Sequence, residues 1–246
     1  MPAGLFIVRE VLLCPLVPGT IMETDFKDLV MSPPNRPQDR LAESDTWTFF
    51  RQWLKNPLTM AALSPSGQQL TRQMIAELPH GTQRVVELGG GTGVFTRALI
   101  AHGIDPDDLL VLELNEALFQ HLRARFPKAH VVCGDARELK QIASDDGFLA
   151  RGMADAVISG LGLLSMSKQM QSDILRSAFD VLKPEGRLVQ FTYGPKSPVS
   201  REILSDLGLS VRRGGFAWWN VPPATVYVYT RNRSRGIQAV RAQQHS

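Results

Sequence analysis

Cysteine is scarce in this 246-residue chain: Cys14 and Cys133 lie far apart, with no metal-ligand spacing around either. A disulfide-stapled fold and a cysteine-based metal site are therefore poor readings, no metal is expected, and a reducing cytoplasm suits the chain. Cys133 closes an apolar run and reads as a small buried hydrophobe. Long apolar runs are also missing. The stretch from Gly4 to Pro18 is interrupted by Arg9 and Glu10, and it falls short of the roughly 20 residues that a membrane-crossing helix needs. It lacks the preceding basic segment and the clean small-residue cleavage site of a signal peptide. There is no internal repeat and no low-complexity tract. With 43% of residues hydrophobic and 21% charged, the composition fits one sizeable core with appendages and neither a polyelectrolyte nor an integral membrane protein. Acids thin out toward the C-terminus: from Lys183 to Ser246 ten Lys or Arg face three acids, whereas the whole chain carries only +3. A basic segment of this kind suits anionic lipid, nucleic acid or acidic small molecules, or is simply a solvated surface.

The chain divides into four parts. Residues 1–43 read as a poorly ordered extension, with Met31 leading into a polar, proline-rich stretch. Residues 44–80 carry two helices, the first over Ser44 to Asn56, capped by Ser44 or Asp45 and stopped by Pro57, the second over Gly67 to Leu78, ended by Pro79. In the first, Trp47, Phe49, Phe50, Trp53 and Leu54 share an arc of roughly 160°, with Arg51 and Lys55 at its border. Residues 81–231 alternate short apolar runs with longer amphipathic ones. Arg84 to Leu88, Leu109 to Leu112, His130 to Cys133, Ala154 to Ser159 and Gly186 to Thr192 are the expected strands. Lys168 to Leu182 is the clearest helix, and Lys183 to Gly186 reads as a turn after it. Such alternation predicts an α/β fold with a mostly parallel, doubly wound sheet. Leu209 to Trp219 and Thr225 to Arg231 are too close for a crossover helix, so they are expected to pair as an antiparallel hairpin. Residues 232–246 form a polar, basic tail.

The chemistry concentrates at Glu87-Leu88-Gly89-Gly90-Gly91-Thr92-Gly93, which follows a strand and opens a helix near Val94. Glycine lets the backbone turn sharply and lets a ligand approach where a Cβ would collide. A dinucleotide fingerprint needs a glycine or alanine three residues after its second glycine, but Val94 and Thr96 follow here. A phosphate loop needs a Lys-Ser or Lys-Thr pair, which is also missing.

Val85 to Gly93 resembles the first motif of class I methyltransferases, and further positions match in order. The resemblance implies a Rossmann-like sheet that binds S-adenosyl-L-methionine and releases S-adenosyl-L-homocysteine. The turn residues Glu87, Gly89, Gly91, Thr92 and Gly93 would hold the cofactor, with Glu87 near its cationic sulfonium. Glu113, followed by Leu114 and Asn115, would accept hydrogen bonds from the ribose hydroxyls. Asp135 would bind the adenine amine, with the Ala136 N–H reaching the ring, and Ser159, Gly160 and Leu161 would close the site. Each acid taken alone is also explained as a surface or capping carboxylate; three at successive strand ends favour the ligand reading.

Four more segments resemble bacterial phospholipid N-methyltransferases: Phe50 to Pro57, Ala62 to Ser66, Ser159 to Leu164 and Gln190 to Gly194. The likeness covers about Trp47 to Arg231 and departs at Gly162, where the related pattern carries Pro. It implies stepwise N-methylation of phosphatidylethanolamine toward phosphatidylcholine, at the cytoplasmic membrane and by a peripherally bound protein. Trp47, Phe50, Arg51, Trp53, Leu54, Lys55, Ser64 and Ser66 would meet the anionic membrane and lipid, and Tyr193 would orient the amine. From spacing alone, packing on the protein core is the favoured reading of the aromatic face, and a packed strand aromatic is the alternative for Tyr193. His80, His102, His121 and His130 show no catalytic spacing. Two other acceptors stay open, ribosomal RNA adenine and a small-molecule amine, as does a non-enzymatic cofactor-binding module. Base methylation usually places an aromatic after the fourth strand to stack on a flipped base; Ser159-Gly160-Leu161-Gly162-Leu163 has none, so nucleic acid is not the expected partner.

Overall fold

The structure, a computed structural model, describes residues 65–193, 196–217 and 223–232. Seven strands form one sheet: β1 (Val85–Leu88), β2 (Leu109–Glu113), β3 (His130–Cys133), β4 (Ala154–Ser159), β5 (Leu182–Thr192), β6 (Leu209–Ala217) and β7 (Ala224–Arg231). Their order is β3-β2-β1-β4-β5-β7-β6. The first five run parallel, while β7 inserts antiparallel between β5 and β6. The alternating pattern and the final hairpin therefore deliver the α/β doubly wound sheet expected from the sequence. Buried on both faces, β1 and β2 read as continuous apolar runs rather than as alternation.

The helices divide between the two faces. On one, α1 (Pro65–Ile75), α2 (Val94–Ala101) and α3 (Glu116–Arg125) pack Leu70, Met74, Leu99 and Leu122 against Val85, Val111, Ile158 and Val189. On the other, α4 (Leu139–Asp145), α5 (Lys168–Val181) and α6 (Arg201–Asp206) pack Leu139, Leu175, Ala178 and Ile203 against Val86, Leu110, Val157 and Leu188. Helix starts are set locally. Asn115, Ser167 and Ser200 each accept a backbone N–H from the first turn of α3, α5 and α6.

Three sequence expectations change. The second helix begins at Pro65 and ends at Ile75, because proline is welcome in a helix's first turn. The turn at Lys183 to Gly186 is absorbed into β5. Ala154 pairs with Leu182 while Ala156 pairs with Arg187, so the extra residues bulge out without ending the strand. Cys133 is half-buried rather than buried, its thiol beside the Leu114 carbonyl.

The sheet's two edges differ. At the far edge, the guanidinium of Arg84 is paired with Asp108, donates to the Phe148 carbonyl at 2.6 Å and lies 4.2 Å from the Phe148 ring centre. At the near edge the C-terminal ends of β1 to β5 converge. The point between β1 and β4, where the strand order reverses, is where open α/β sheets place their ligands. Gln73 of α1 abuts Gly215, and Glu77 abuts Gly214, one residue farther from this edge. Helix α1 thus runs away from the ligand edge, and its first residue, Pro65, lies toward it.

Candidate active site

The third residue of β1 is a glutamate in a strand with no exposed position, and Glu87 itself is 0% exposed. Burial, with no cationic partner among the described residues, pushes its carboxyl up to about 8, against the hydroxyl and N–H of Thr96, which favour the ionised form, and with a smaller upward push from Glu113. The Thr96 hydroxyl donates to Oε2 at 2.7 Å, whereas Oε1 has no partner among the described residues. Thr96 was not anticipated from the sequence. Its signal was a lone hydroxyl in the first turn of the apolar helix Val94–Ala101, on the side that meets β1.

Beyond β1 the chain turns through Gly91 at φ 55° and Gly93 at φ 78°, a region that L side chains avoid. Among the described residues a Cβ on Gly91 would meet nothing nearer than 3.9 Å, which leaves that backbone open to a ligand. On Gly93 a Cβ would fall 2.4 Å from the Phe126 ring, so this glycine also serves the packing of α2 on the segment after α3. Gly89 lies against Leu161, and Thr92 is buried in the turn.

Glu113 ends β2 with 8% exposure. Its Oε2 accepts the Gly91 N–H at 2.9 Å and its Oε1 accepts the Asn115 N–H at 2.8 Å. Both oxygens are fixed in direction and keep lone pairs for hydroxyl donors. The Asn115 side chain is occupied in capping α3, while Leu114 stands 69% exposed at this edge. Asp135 follows β3, and Arg137 engages its carboxylate through Nε at 3.0 Å, Nη2 at 2.7 Å and the backbone N–H at 2.8 Å. The Arg137 side chain holds the Asp135 carboxyl below its usual range. Ala136 opens the one-turn helix that follows and packs against the α4–α5 core.

Ser159 ends β4 directly beside β1. The Gly160 N–H donates to Leu88 O at 2.8 Å, and the Leu161 N–H to the Ser159 hydroxyl at 3.3 Å. Gly162 has φ −78°, a value that proline also adopts, so the departure from the expected proline leaves the loop a shape that proline allows. Tyr193 lies one residue past β5, packing edge-on against Phe191 with ring centres 5.5 Å apart; Phe191 in turn lies 6.1 Å from Phe95. The turn, the acids and the loop after β4 are thus brought together at one edge. Trp47, Phe50, Arg51, Trp53, Leu54, Lys55 and Ser64 lie outside the described residues, and Ser66 falls in the first turn of α1.

An open backbone turn, a buried acid with one unmatched oxygen and a strand-end carboxylate held by two N–H groups define a nucleotide-type ligand site at the switch point of a doubly wound sheet. These groups fit S-adenosylmethionine. The unmatched Glu87 oxygen would suit its cationic end, and the two oriented Glu113 oxygens would suit its ribose hydroxyls. The family model described as a methyltransferase domain matches residues 85–186. An ornithine lipid N-methyltransferase from Singulisphaera acidiphila is 37% identical over 156 residues, covering 61% of this chain and 79% of that protein. Among solved structures, a TehB-like SAM-dependent methyltransferase from Corynebacterium glutamicum superposes with a TM-score of 0.51 at 17% identity, over 77% of this chain and 100% of the other. A glycopeptide N-methyltransferase, MtfA, solved with S-adenosylmethionine, superposes with 0.52 at 13% identity, over 67% and 94%. The chain belongs to the class I S-adenosylmethionine-dependent methyltransferases.

Proposed function

We propose that this methyltransferase acts on the primary amine of a membrane lipid, converting phosphatidylethanolamine and its methylated intermediates toward phosphatidylcholine at the membrane surface. The observation that carries the reading is the likeness to a lipid N-methyltransferase over 79% of that relative's length. The direction of α1 supports it: its first residue, Pro65, lies toward the ligand edge, and the sequence ahead of it carries Trp47, Phe50, Trp53, Arg51 and Lys55. A sequence that combines aromatic with basic residues in this way suits an anionic headgroup layer. No helix of the described residues is long and apolar enough to cross a membrane, in keeping with peripheral attachment.

S-adenosylmethionine supplies a methyl group already activated on a cationic sulfur. The chain's task is to hold and align. Glu113 and Asp135, through its oxygens or through Arg137, hold the nucleoside end, Glu87 the cationic end, and Ser159 to Leu161 the side facing the acceptor. Tyr193, on the aromatic wall with Phe191 and Phe95, orients the amine after it has lost its proton. Alignment and exclusion of water supply the rate.

A second reading replaces phosphatidylethanolamine with an ornithine-headgroup lipid, which also presents a primary amine; the named relative favours it. The test is transfer of labelled methyl from S-adenosylmethionine to anionic vesicles containing phosphatidylethanolamine, to matched vesicles containing ornithine lipid, and to ribosomal RNA. Transfer to the first supports the reading, transfer only to the second selects the alternative, and transfer only to RNA or to soluble amines refutes both. Trp53→Glu is expected to abolish vesicle co-sedimentation while leaving cofactor affinity intact.

A further inference from the structure

The loop of residues 160–167, between β4 and α5, is held by two buried amides. Gln190 of β5, 1% exposed, donates through Nε2 to the Leu161 carbonyl at 2.8 Å and to the Phe191 carbonyl at 2.6 Å. Gln171 of α5, 6% exposed, donates through Nε2 to the Leu163 carbonyl at 2.8 Å and the Met166 carbonyl at 3.2 Å. With the loop so placed, the Leu161 side chain stops against the glycine turn: a Cβ on Gly89 would fall 2.9 Å from Leu161 Cδ2. Gln190 Oε1 is buried and has no partner among the described residues. A buried amide with an unmatched oxygen is a costly way to fill space, and an apolar side chain of equal length would pack there without the penalty. What Gln190 adds is a donor that reaches from the strand carrying the aromatic wall to the loop that bounds the cofactor turn.

We infer that Gln190, seconded by Gln171, is a positioning residue for methyl transfer. Through the Leu161 carbonyl it sets the distance between the loop after β4 and the Gly89 turn, and hence the alignment of amine and methyl group. The inference deepens the proposed function and rests on it. The nucleoside is held elsewhere, by Glu113 and Asp135, so losing this clamp disturbs alignment more than cofactor affinity.

Gln190→Met keeps the side-chain length and removes the donor; Gln171→Met does the same from α5 and serves if the first variant fails to fold. In the full-length chain, amide hydrogen exchange of a peptide spanning residues 160–166 is expected to accelerate by about tenfold or more. S-adenosylhomocysteine affinity is expected to stay within about threefold, and kcat on phosphatidylethanolamine or ornithine-lipid vesicles to fall by roughly 30- to 100-fold, the scale of a misplacement near 1 Å. Unchanged exchange overturns the inference. So does faster exchange with full kcat, or an equal loss of cofactor affinity and kcat. If the wild-type chain methylates neither lipid, the proposed function has failed separately, and exchange together with S-adenosylhomocysteine binding decides whether the clamp exists.

Discussion

Glu87 offers the sharpest perturbation, because its environment sets the sign and size of a measurable effect. The carboxyl lies at about 8 in the fold against an ordinary 4.5. A group whose folded value is raised holds its proton in the fold, so its contribution to stability is complete below about pH 4.5 and is lost as pH climbs toward 8. At 1.36 kcal/mol per pH unit, with half-titration at the upper end, the loss from pH 5 to pH 8 is about 3 kcal/mol. The amide introduced by Glu87→Gln retains an oxygen for the Thr96 hydroxyl and has nothing to ionise. Urea unfolding of both proteins at pH 5, 6, 7 and 8 is therefore expected to show the variant gaining on wild type by about that amount. In the proposed site, a cationic cofactor beside Glu87 reverses this preference. Wild-type affinity for S-adenosylmethionine is expected to rise relative to the variant by up to about tenfold per pH unit below 8, with a proton released on binding. Parallel stability profiles from pH 5 to 8 would refute the account of the buried carboxyl. A pH-independent affinity ratio would separate Glu87 from the cofactor.

Two further outcomes follow from the same geometry. Glu113→Ala removes the acceptor of the Gly91 and Asn115 N–H groups and is expected to weaken S-adenosylhomocysteine binding by roughly 100-fold in calorimetry, the worth of two hydrogen bonds to a charged group. Arg231→Met removes a guanidinium that donates to the carbonyl of Phe179 in the last turn of α5 and to those of Leu182, Lys183 and Pro184 at the start of β5, and is expected to cost about 2 kcal/mol in urea unfolding without changing cofactor affinity.

The parallel strands were legible because burial on both faces leaves continuous apolar runs, and the hairpin because Pro222-Pro223 leaves no room for a crossover helix. The positions of Glu113 at the end of β2 and Asp135 just past β3 were legible because each acid directly follows an apolar run. What lay beyond reading was relational. That Glu87 holds its proton depends on its complete burial, which outweighs the opposing hydrogen bonds from Thr96 nine residues away, and on the absence of a nearby cation among the described residues. Asp135 could be placed at its strand end, but its engagement by Arg137 depends on the one-turn helix that follows. The clamp on Leu161 joins residues 29 positions apart, and Gln190 in a strand reads only as a polar residue among apolar neighbours. The bulge at Lys183 to Gly186 was missed because proline and glycine in sequence mark a turn and a strand irregularity alike.

Helix α1 starts toward the ligand edge, whereas β7 ends at the opposite edge, fastened at Arg231 to the C-terminal end of α5. The described residues therefore begin and end on opposite sides of the sheet. A surface tether joined behind Asn232 would present the ligand edge outward to arriving vesicles. One joined just ahead of Pro65 would turn that edge toward the support and starve the site of lipid. Immobilised in these two orientations, one protein would report very different vesicle binding with the same affinity for free cofactor.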